Sequence, residues 1–148
     1  MKYGHLLLIL LSNLLLSCDD DDYPYAEVPS VVLNEFWAEY PKATDAEFSQ
    51  FQETYEVEFE IGDNDYKALF DSSGSILKKK REISWSSLPP AVRNSLRKQY
   101  GEKDIKDPEV LRTGDKTFYQ AEVRRFFSNE KVVLNEAGKT DTTLIYWK

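Results

Sequence analysis

Apolar residues spaced four positions apart occur twice in this chain of 148 residues, sixty positions from each other. The two stripes are Val32, Phe36 and Tyr40, and then Val92, Leu96 and Tyr100. Each stripe follows a Pro and stops at a helix-breaking residue, Pro41 or Gly101. Steps of four place side chains on one face of an α-helix, and Pro is tolerated in the first turn of a helix. The sequence therefore predicts two amphipathic helices, in equivalent places of two similar units.

Strand patterns follow each helix in the same order. Apolar and polar residues alternate from Tyr55 to Ile61, and again from Tyr119 to Arg124. The polar positions of the first segment are Glu56, Glu58 and Glu60, and those of the second include Glu122. A period of two with one apolar face is typical of a half-buried antiparallel strand. We expect these glutamates on the polar face of a sheet.

Further strands complete each unit. A turn ending in Gly, at 71–74 and again at 135–138, predicts a hairpin. Residues 75–83 and 139–147 are then predicted as closing strands, and 44–51 and 105–112 as the strands that open each sheet. Pro108 in the last of these predicts an edge position or a bulge.

The predicted fold class is α+β, with two copies of one helix packed on an antiparallel sheet of about four strands. The copies are assigned to residues 25–84 and 85–148. A helix and a sheet with one apolar face each must bury those faces against each other. We expect the two sheets to form one continuous curved sheet, with its second face open to solvent.

The first residues predict an export signal. Lys2 precedes an apolar run from Leu6 to Leu16, which is too short to span a membrane as a helix. The run ends in Leu15-Leu16-Ser17-Cys18, which resembles the bacterial lipobox. We expect a lipoprotein signal peptide over 1–17 and lipidation of Cys18. The alternative is an ordinary signal peptide followed by a chance Cys.

Residues 18–24 are predicted to be an acidic tether, because the four like charges of 19–22 repel one another and favour solvent. This run resembles the export signal of surface lipoproteins, although a plain spacer is an open alternative. It lacks the spaced turn pattern of a Ca²⁺ loop. The predicted location is the outer membrane or cell surface, with the folded part in the periplasm or outside the cell.

Composition excludes several classes of function. The net charge of −7 argues against a nucleic-acid partner, because few cations are available to neutralise phosphates. Cleavage before Cys18 would remove the single His and the single Met. The remaining chain would then lack the base of a Ser–His–Asp triad and the nitrogen and thiolate ligands of zinc. We expect no cofactor, no metal and no enzyme activity.

A family resemblance rests on these same elements. Val/Leu-Pro before a helix, Tyr-Pro at its end, a Tyr-x-Val-x-Phe strand and a Phe-Asp-x-x-Gly turn are similar to the PepSY-like lipoproteins of Bacteroidetes. The matching positions are Val28, Pro29, Phe36, Tyr40, Pro41, Tyr55, Val57, Phe59, Phe70, Asp71 and Gly74, then Leu88, Pro89, Val92, Tyr100, Tyr119 and Gly138. Gly101 and Asn135 depart from the pattern, which usually has Pro and often Asp there. The resemblance implies a β-lactamase-inhibitor-like domain with a binding or inhibitory role and no catalytic residues.

Candidate binding residues fall into two groups. Glu56, Glu58, Glu60 and Glu122 would form an acidic sheet face, and Arg124, Arg125 and Phe127 mix cations with an aromatic ring, as interaction surfaces do. Half of the 124–127 segment is predicted to be core. The basic run 78–81 is predicted to be an edge strand that deters sheet pairing, and Trp147 to cover a sheet edge.

The predicted function is a non-catalytic, membrane-anchored module that binds or inhibits a protein partner in the cell envelope. The alternative is a carboxylate-dependent protein that binds or cleaves surface glycans. Glycan cleavage needs two carboxylates about 5 to 10 Å apart, one with a raised pKa. Glutamates on a solvated strand face do not favour that arrangement.

Overall fold

The computed structural model describes residues 25–148. Over this range the chain forms an α+β fold with two α-helices and one antiparallel sheet of seven strands. Each strand pairs with the next along the chain, in the order β1 to β7. The predicted signal peptide, Cys18 and the acidic tether lie outside the range described.

The first half of the chain supplies one helix and four strands: α1 (Ser30–Glu39), β1 (Thr44–Phe51), β2 (Thr54–Ile61), β3 (Asn64–Asp71) and β4 (Ile76–Glu82). The second half supplies α2 (Pro90–Tyr100), β5 (Ile105–Thr113), β6 (Lys116–Val123) and β7 (Glu130–Asn135). Short 3-10 helices span Tyr25–Glu27, Trp85–Ser87 and Glu102–Asp104. Between residues 25 and 148, no helix has the length and apolar character needed to cross a membrane.

Both predicted helical stripes face the sheet. Val32 and Phe36 of α1 are fully buried against β1, β2 and β3. Val92 and Leu96 of α2 are buried in a second cluster, against β6 and β7. The two helices therefore cover opposite ends of the same sheet face, which we call the helix face.

The two predicted hairpin turns share their geometry. The side-chain Oδ1 of Asp71 accepts hydrogen bonds from the backbone N–H groups of Ser73 and Ser75, 2.9 Å away in each case. Asn135 Oδ1 accepts from the N–H groups of Ala137 and Lys139 in the same way. An amide oxygen replaces a carboxylate oxygen here without loss of the turn, so the departure at Asn135 leaves the local structure unchanged.

The glycines that end these turns lie close to the helices. Gly74 and Gly138 have φ of +87° and +73°, which favours Gly. A Cβ at Gly138 would lie 2.5 Å from the carbonyl oxygen of Ala91 in α2, and one at Gly74 would lie 3.1 Å from that of Val31 in α1. Each turn thus packs against the first turn of the helix in its own half.

The predicted closing strand at 139–147 is wrong. Only an isolated bridge, from Leu134 to Thr140, continues the pairing beyond β7. Asp141 Oδ1 then accepts hydrogen bonds from the N–H groups of Thr143 and Leu144. This turn ends the alignment with β7. The second half therefore has three strands, and the prediction of about four holds only for the first half.

The basic run is not at a sheet edge. β4 pairs with both β3 and β5, so it is a central strand, and the edge prediction for residues 78–81 is wrong. Pro108 is also in a central strand, at a register irregularity between Lys106 and Glu109 that confirms the bulge alternative. The bulge leaves the carbonyl of Pro108 free to accept from the N–H of Ile83, 2.8 Å away.

Candidate binding faces

The sheet face opposite the helices, which we call the open face, carries all four predicted glutamates. Register places Glu56, Glu58 and Glu60 of β2 opposite Leu69, Lys67 and Asp65 of β3. Glu122 lies on the same face, opposite Lys131 of β7. The alternation of buried Tyr55, Val57 and Phe59 with these glutamates is as predicted from period two.

Lysines from neighbouring strands neutralise much of this face. Lys67 contacts both Glu56 and Glu58, Lys80 lies 2.8 Å from Glu109, and Lys131 lies 3.4 Å from Glu122. Burial acts against the charged form of Lys67, but hydrogen bonds to Glu58 and Glu56 outweigh it and raise its pKa. The open face therefore carries cations beside the predicted glutamates, because β3, β4 and β7 bring lysines to it.

Glu122 is held by its neighbours. Asn129 donates a hydrogen bond to its carboxylate at 2.8 Å, and Lys131 provides an ion pair. The hydrogen bond from Asn129 and then the contact with Lys131 lower the pKa of Glu122. It is therefore ionised at neutral pH and unsuited to act as a general acid.

The C-terminal residues cross the middle of the open face. Trp147 is buried there with Leu111, Phe118 and Val133, and Lys78 lies over its ring at 4.0 Å. The prediction that Trp147 covers a sheet edge is thus wrong, because it packs on the face itself. This apolar cluster on the open face was not predicted, since its members are far apart in sequence.

Gln120 fixes the backbone of Trp147. Its amide N–H donates to the carbonyl of Trp147 at 2.6 Å, and its Oε1 accepts from the N–H of Trp147 at 3.2 Å. The indole N–H of Trp147 donates to Glu56 at 2.8 Å. Gln120 is the polar residue buried in the part of the chain that the structure describes, and this pair of hydrogen bonds explains its burial.

Five carboxylates cluster at one side of the open face. Asp45, Glu47, Glu58, Glu60 and Asp65 surround a shallow cavity of about 380 Å³, and we call this cluster the acidic edge. Lys67, Lys80 and Lys148 also line the cavity, together with Glu109, which pairs with Lys80. Strand β1, which carries Asp45 and Glu47, pairs only with β2 within residues 25–148. Glu56 and Glu122 do not belong to this cluster, so the four predicted glutamates do not form one site.

The loop between β6 and β7 carries the other candidate residues. Phe126 and Phe127 are each 94% exposed, with their ring centroids 4.8 Å apart. Arg125 pairs with Glu130 at 2.8 Å and lies 5.0 Å from the ring of Tyr100. The prediction that half of this segment is core is wrong. Phe126 and Phe127 instead form an exposed apolar patch in this loop.

The side chains that the structure describes do not form the arrangement that a metal site needs. Within residues 25–148, no group of three or more His, Cys, Asp and Glu side chains is placed to hold a metal ion.

Comparison with known proteins identifies the fold. A protein of Bacteroides eggerthii DSM 20697, described as a "putative periplasmic" protein, superimposes with a TM-score of 0.70 at 15% identity, over 76% of this chain and 85% of its own. A "BLIP-like protein" of Bacteroides fragilis NCTC 9343 gives a TM-score of 0.67 at 22% identity, over 82% of this chain and 88% of its own. At such identities the similarity establishes the fold alone.

A third solved structure, a "DUF2874 family protein" of Bacteroides ovatus ATCC 8483, has a TM-score of 0.67 and 18% identity, over 76% of this chain and 83% of its own. No curated protein matches the chain. The model of the family described as "Putative beta-lactamase-inhibitor-like, PepSY-like" matches at residues 14–78 and again at 53–140. These matches together span most of the chain, which therefore belongs to the PepSY-like family.

Proposed function

We propose that this chain is a non-catalytic binding module that recognises a protein partner in the cell envelope through the acidic edge. The observation that carries the proposal is that the five carboxylates of the acidic edge surround one cavity with Glu109. They lie beside strand β1, which pairs only with β2 within residues 25–148. Glu58 has Lys67 as its ion-pair partner, while no ion pair joins Asp45, Glu47, Glu60 or Asp65 to a cation within residues 25–148. An exposed acidic surface favours a basic partner and salt-sensitive association.

The fold supports a binding role over a catalytic one. The family description and the BLIP-like relative point to inhibitor-like proteins. Glu122, one half of the carboxylate pair considered for glycan cleavage, has a lowered pKa. It also lies on β6, whereas Glu58 lies on β2, and the buried Trp147 packs on the sheet face between them. These features favour recognition of a protein surface.

A lipid on Cys18 would hold the module at a membrane. The motif Leu15-Leu16-Ser17-Cys18 at the end of an apolar run supports processing of 1–17 and acylation of Cys18. Residues 18–24 would then act as a tether between the lipid and the folded part. Location at the outer membrane or cell surface is part of this proposal.

We assign residues 25–84 and 85–148 to two copies of one ancestral unit. The shared turn geometry at Asp71 and Asn135 supports this division, as does the matching order of 3-10 helix, α-helix and strands in both halves. The second copy would have lost its last strand, with the C-terminal residues laid over the open face instead.

The test is capture of envelope proteins by chemical cross-linking to the full-length protein in its own membrane. Charge reversal by Glu58→Lys with Glu60→Lys should remove a specific cross-linked protein, most clearly at low salt. The matched control is Glu35→Lys with Glu136→Lys, two exposed carboxylates away from the acidic edge. Equal capture by both double variants would reject the acidic edge, and Arg124, Arg125 and Phe127 would then be the surface to vary.

A further inference from the structure

Within residues 25–148, no helix covers the strip of the helix face that lies between α1 and α2. The ring of Phe36 in α1 contacts Phe48 of β1, Phe59 of β2 and Phe70 of β3, so α1 is centred on β2. Helix α2 packs on β6 and β7 and on the partly buried Ile105 and Val110 of β5, so it is centred on β6. Four strand spacings place the helix axes about 19 Å apart, whereas packed helices lie about 8 to 10 Å apart. The space over β4 and the adjoining side of β5 is therefore about the width of one more helix.

Cations line the floor of this strip. Register pairs Lys79 of β4 with Arg112 of β5, and Arg81 with Val110. Ala68 of β3, which is buried under α1, lies opposite Lys79, so these side chains belong to the helix face. Together with Tyr40 and Tyr66 they surround a cavity of about 200 Å³. We call the site formed by Lys79, Arg81, Arg112, Val110, Tyr40 and Tyr66 the basic groove.

Two of these cations have no acidic partner. Lys79 pairs with Glu39 at the end of α1, 2.6 Å away. No ion pair joins Arg81 or Arg112 to a carboxylate within the described part of the chain, and Arg81 donates only a long hydrogen bond, 3.4 Å, to the carbonyl of Glu82. The contrast with the open face is clear, because Lys67, Lys80 and Lys131 are all paired there.

The arrangement of like charges acts against the stability of the sheet. Lys79 and Arg112 are direct cross-strand neighbours, and like charges at such positions destabilise a sheet. Carboxylates are numerous among residues 25–148, yet no ion pair joins one of them to either arginine. An anionic group bound in the basic groove would relieve it.

The chemistry of the basic groove fits carboxylates in particular. Guanidinium groups hold carboxylates through paired hydrogen bonds. Tyr40 is buried, and burial raises the pKa of its hydroxyl, which keeps it a neutral donor. Val110 and the aromatic rings add apolar contact area for a side chain or a backbone.

The spacing fits a helix. Lys79 and Arg81 are two residues apart on one strand, which separates them by about 7 Å. Carboxylates at positions i and i+4 of a helix are about 6 Å apart along its axis. We propose that the basic groove binds an acidic helical segment of a partner protein. This site lies on the opposite side of the sheet from the acidic edge and stands independently of it.

The test measures binding of a fluorescent helical peptide of Glu and Ala, with Glu at i and i+4, to purified full-length protein in detergent. Arg81→Glu with Arg112→Glu should weaken binding roughly tenfold or more, as for close charge pairs at interfaces. Lys98→Glu with Lys103→Glu changes the net charge equally at exposed positions outside the groove and should change affinity less than about twofold. Urea melts establish that both variants fold.

Three further measurements distinguish this proposal from uncharged-peptide binding, from binding at the acidic edge and from binding of a simple anion. A peptide with Gln in place of Glu should bind weakly, and Glu58→Lys with Glu60→Lys should leave binding of the Glu peptide intact. Inorganic phosphate at matched ionic strength should not displace the Glu peptide. The proposal is overturned if the Glu peptide does not bind, if both double variants weaken it equally, or if phosphate alone displaces it.

Discussion

The indole N–H of Trp147 donates a hydrogen bond to Glu56, so the penultimate residue of the chain is fastened to the second strand of the sheet, 91 positions earlier. Lys67 extends this link by donating to the carbonyl of Lys148 at 2.8 Å. The C-terminal residues thereby connect β2 and β3 of the first half with β5, β6 and β7 of the second. We call these contacts of Trp147 and Lys148 the C-terminal clasp, because they join the two halves of the sheet.

This clasp predicts a large loss of stability for Trp147→Ala. Removing a buried indole and its hydrogen bond should lower the free energy of unfolding by about 3 kcal/mol or more. Ile145→Ala is the matched control, because Ile145 is 87% exposed and should cost less than about 0.5 kcal/mol. Urea denaturation followed by Trp and Tyr fluorescence measures both. Similar midpoints for the two variants would show that Trp147 does not hold the sheet.

A second prediction concerns the two kinds of glycine turn. Gly138→Ala should lower the free energy of unfolding by about 2 to 4 kcal/mol, since it adds both a strained φ and a clash with the carbonyl of Ala91. Gly114 has a φ of +54° with open space around it, so Gly114→Ala should cost only the strain, about 1 kcal/mol. Thermal melts of the two variants check the difference, and equal costs would refute the close approach of turn and helix.

A third prediction follows from the pKa of Asp71. The hydrogen bond from the Ser73 hydroxyl, with those from backbone N–H groups, lowers this pKa below the ordinary value of 3.8. A group whose pKa is lower in the folded state contributes stability above its unfolded pKa, and this contribution is lost as the pH falls through the folded pKa. Asp71→Asn keeps the acceptor oxygen, as Asn135 does in the second half, and removes the titration.

We therefore expect wild type to be more stable than Asp71→Asn at neutral pH, and the difference to vanish as the pH falls below 3.8. Urea midpoints measured across this range test the sign. A difference between the two proteins that stays constant from neutral to acidic pH would mean that Asp71 does not titrate with folding.

A fourth prediction concerns the N-terminal motif. Cys18→Ala should abolish uptake of labelled fatty acid and move the protein from the membrane fraction to the soluble fraction. Ser17→Gly keeps a small residue before the cysteine and is expected to leave acylation intact. Fractionation with fatty-acid labelling distinguishes the two, and wild-type protein without label would end the lipoprotein assignment.

Local signals explain why the helices and hairpins could be predicted. The stripe of Val32 and Phe36, and the turn from Asp71 to Gly74, depend on residues close together in sequence. The tail from 139 to 147 combines apolar and polar residues in a way that suits either a strand or a surface segment. Its place was decided by Leu111, Phe118 and Gln120, which only the folded sheet brings to it.

Predicting which charges share a face of the sheet requires the order of the strands as well as the alternation within each strand. Lys79 and Arg81 belong to one basic run in the sequence. Side chains alternate along β4, so these two lie on the helix face, whereas Lys78 and Lys80 lie on the open face. Arg112 is a single arginine in a strand, and such a residue gives no sequence signal for a site. The basic groove therefore depends on the pairing of β4 with β5, which no local pattern specifies.

The hydrogen bond of Tyr25 limits how far the folded part can lie from Cys18. Its hydroxyl donates to the carbonyl of Ala46 in β1, which fastens the start of the folded part beside the acidic edge. Seven residue steps lead from Cys18 to Tyr25, and fully extended they span at most about 25 Å. With a lipid on Cys18, Tyr25 would stay within about 25 Å of the membrane, and the start of β1 would lie beside it. A partner protein that binds at this strand would then have to lie close to the bilayer surface.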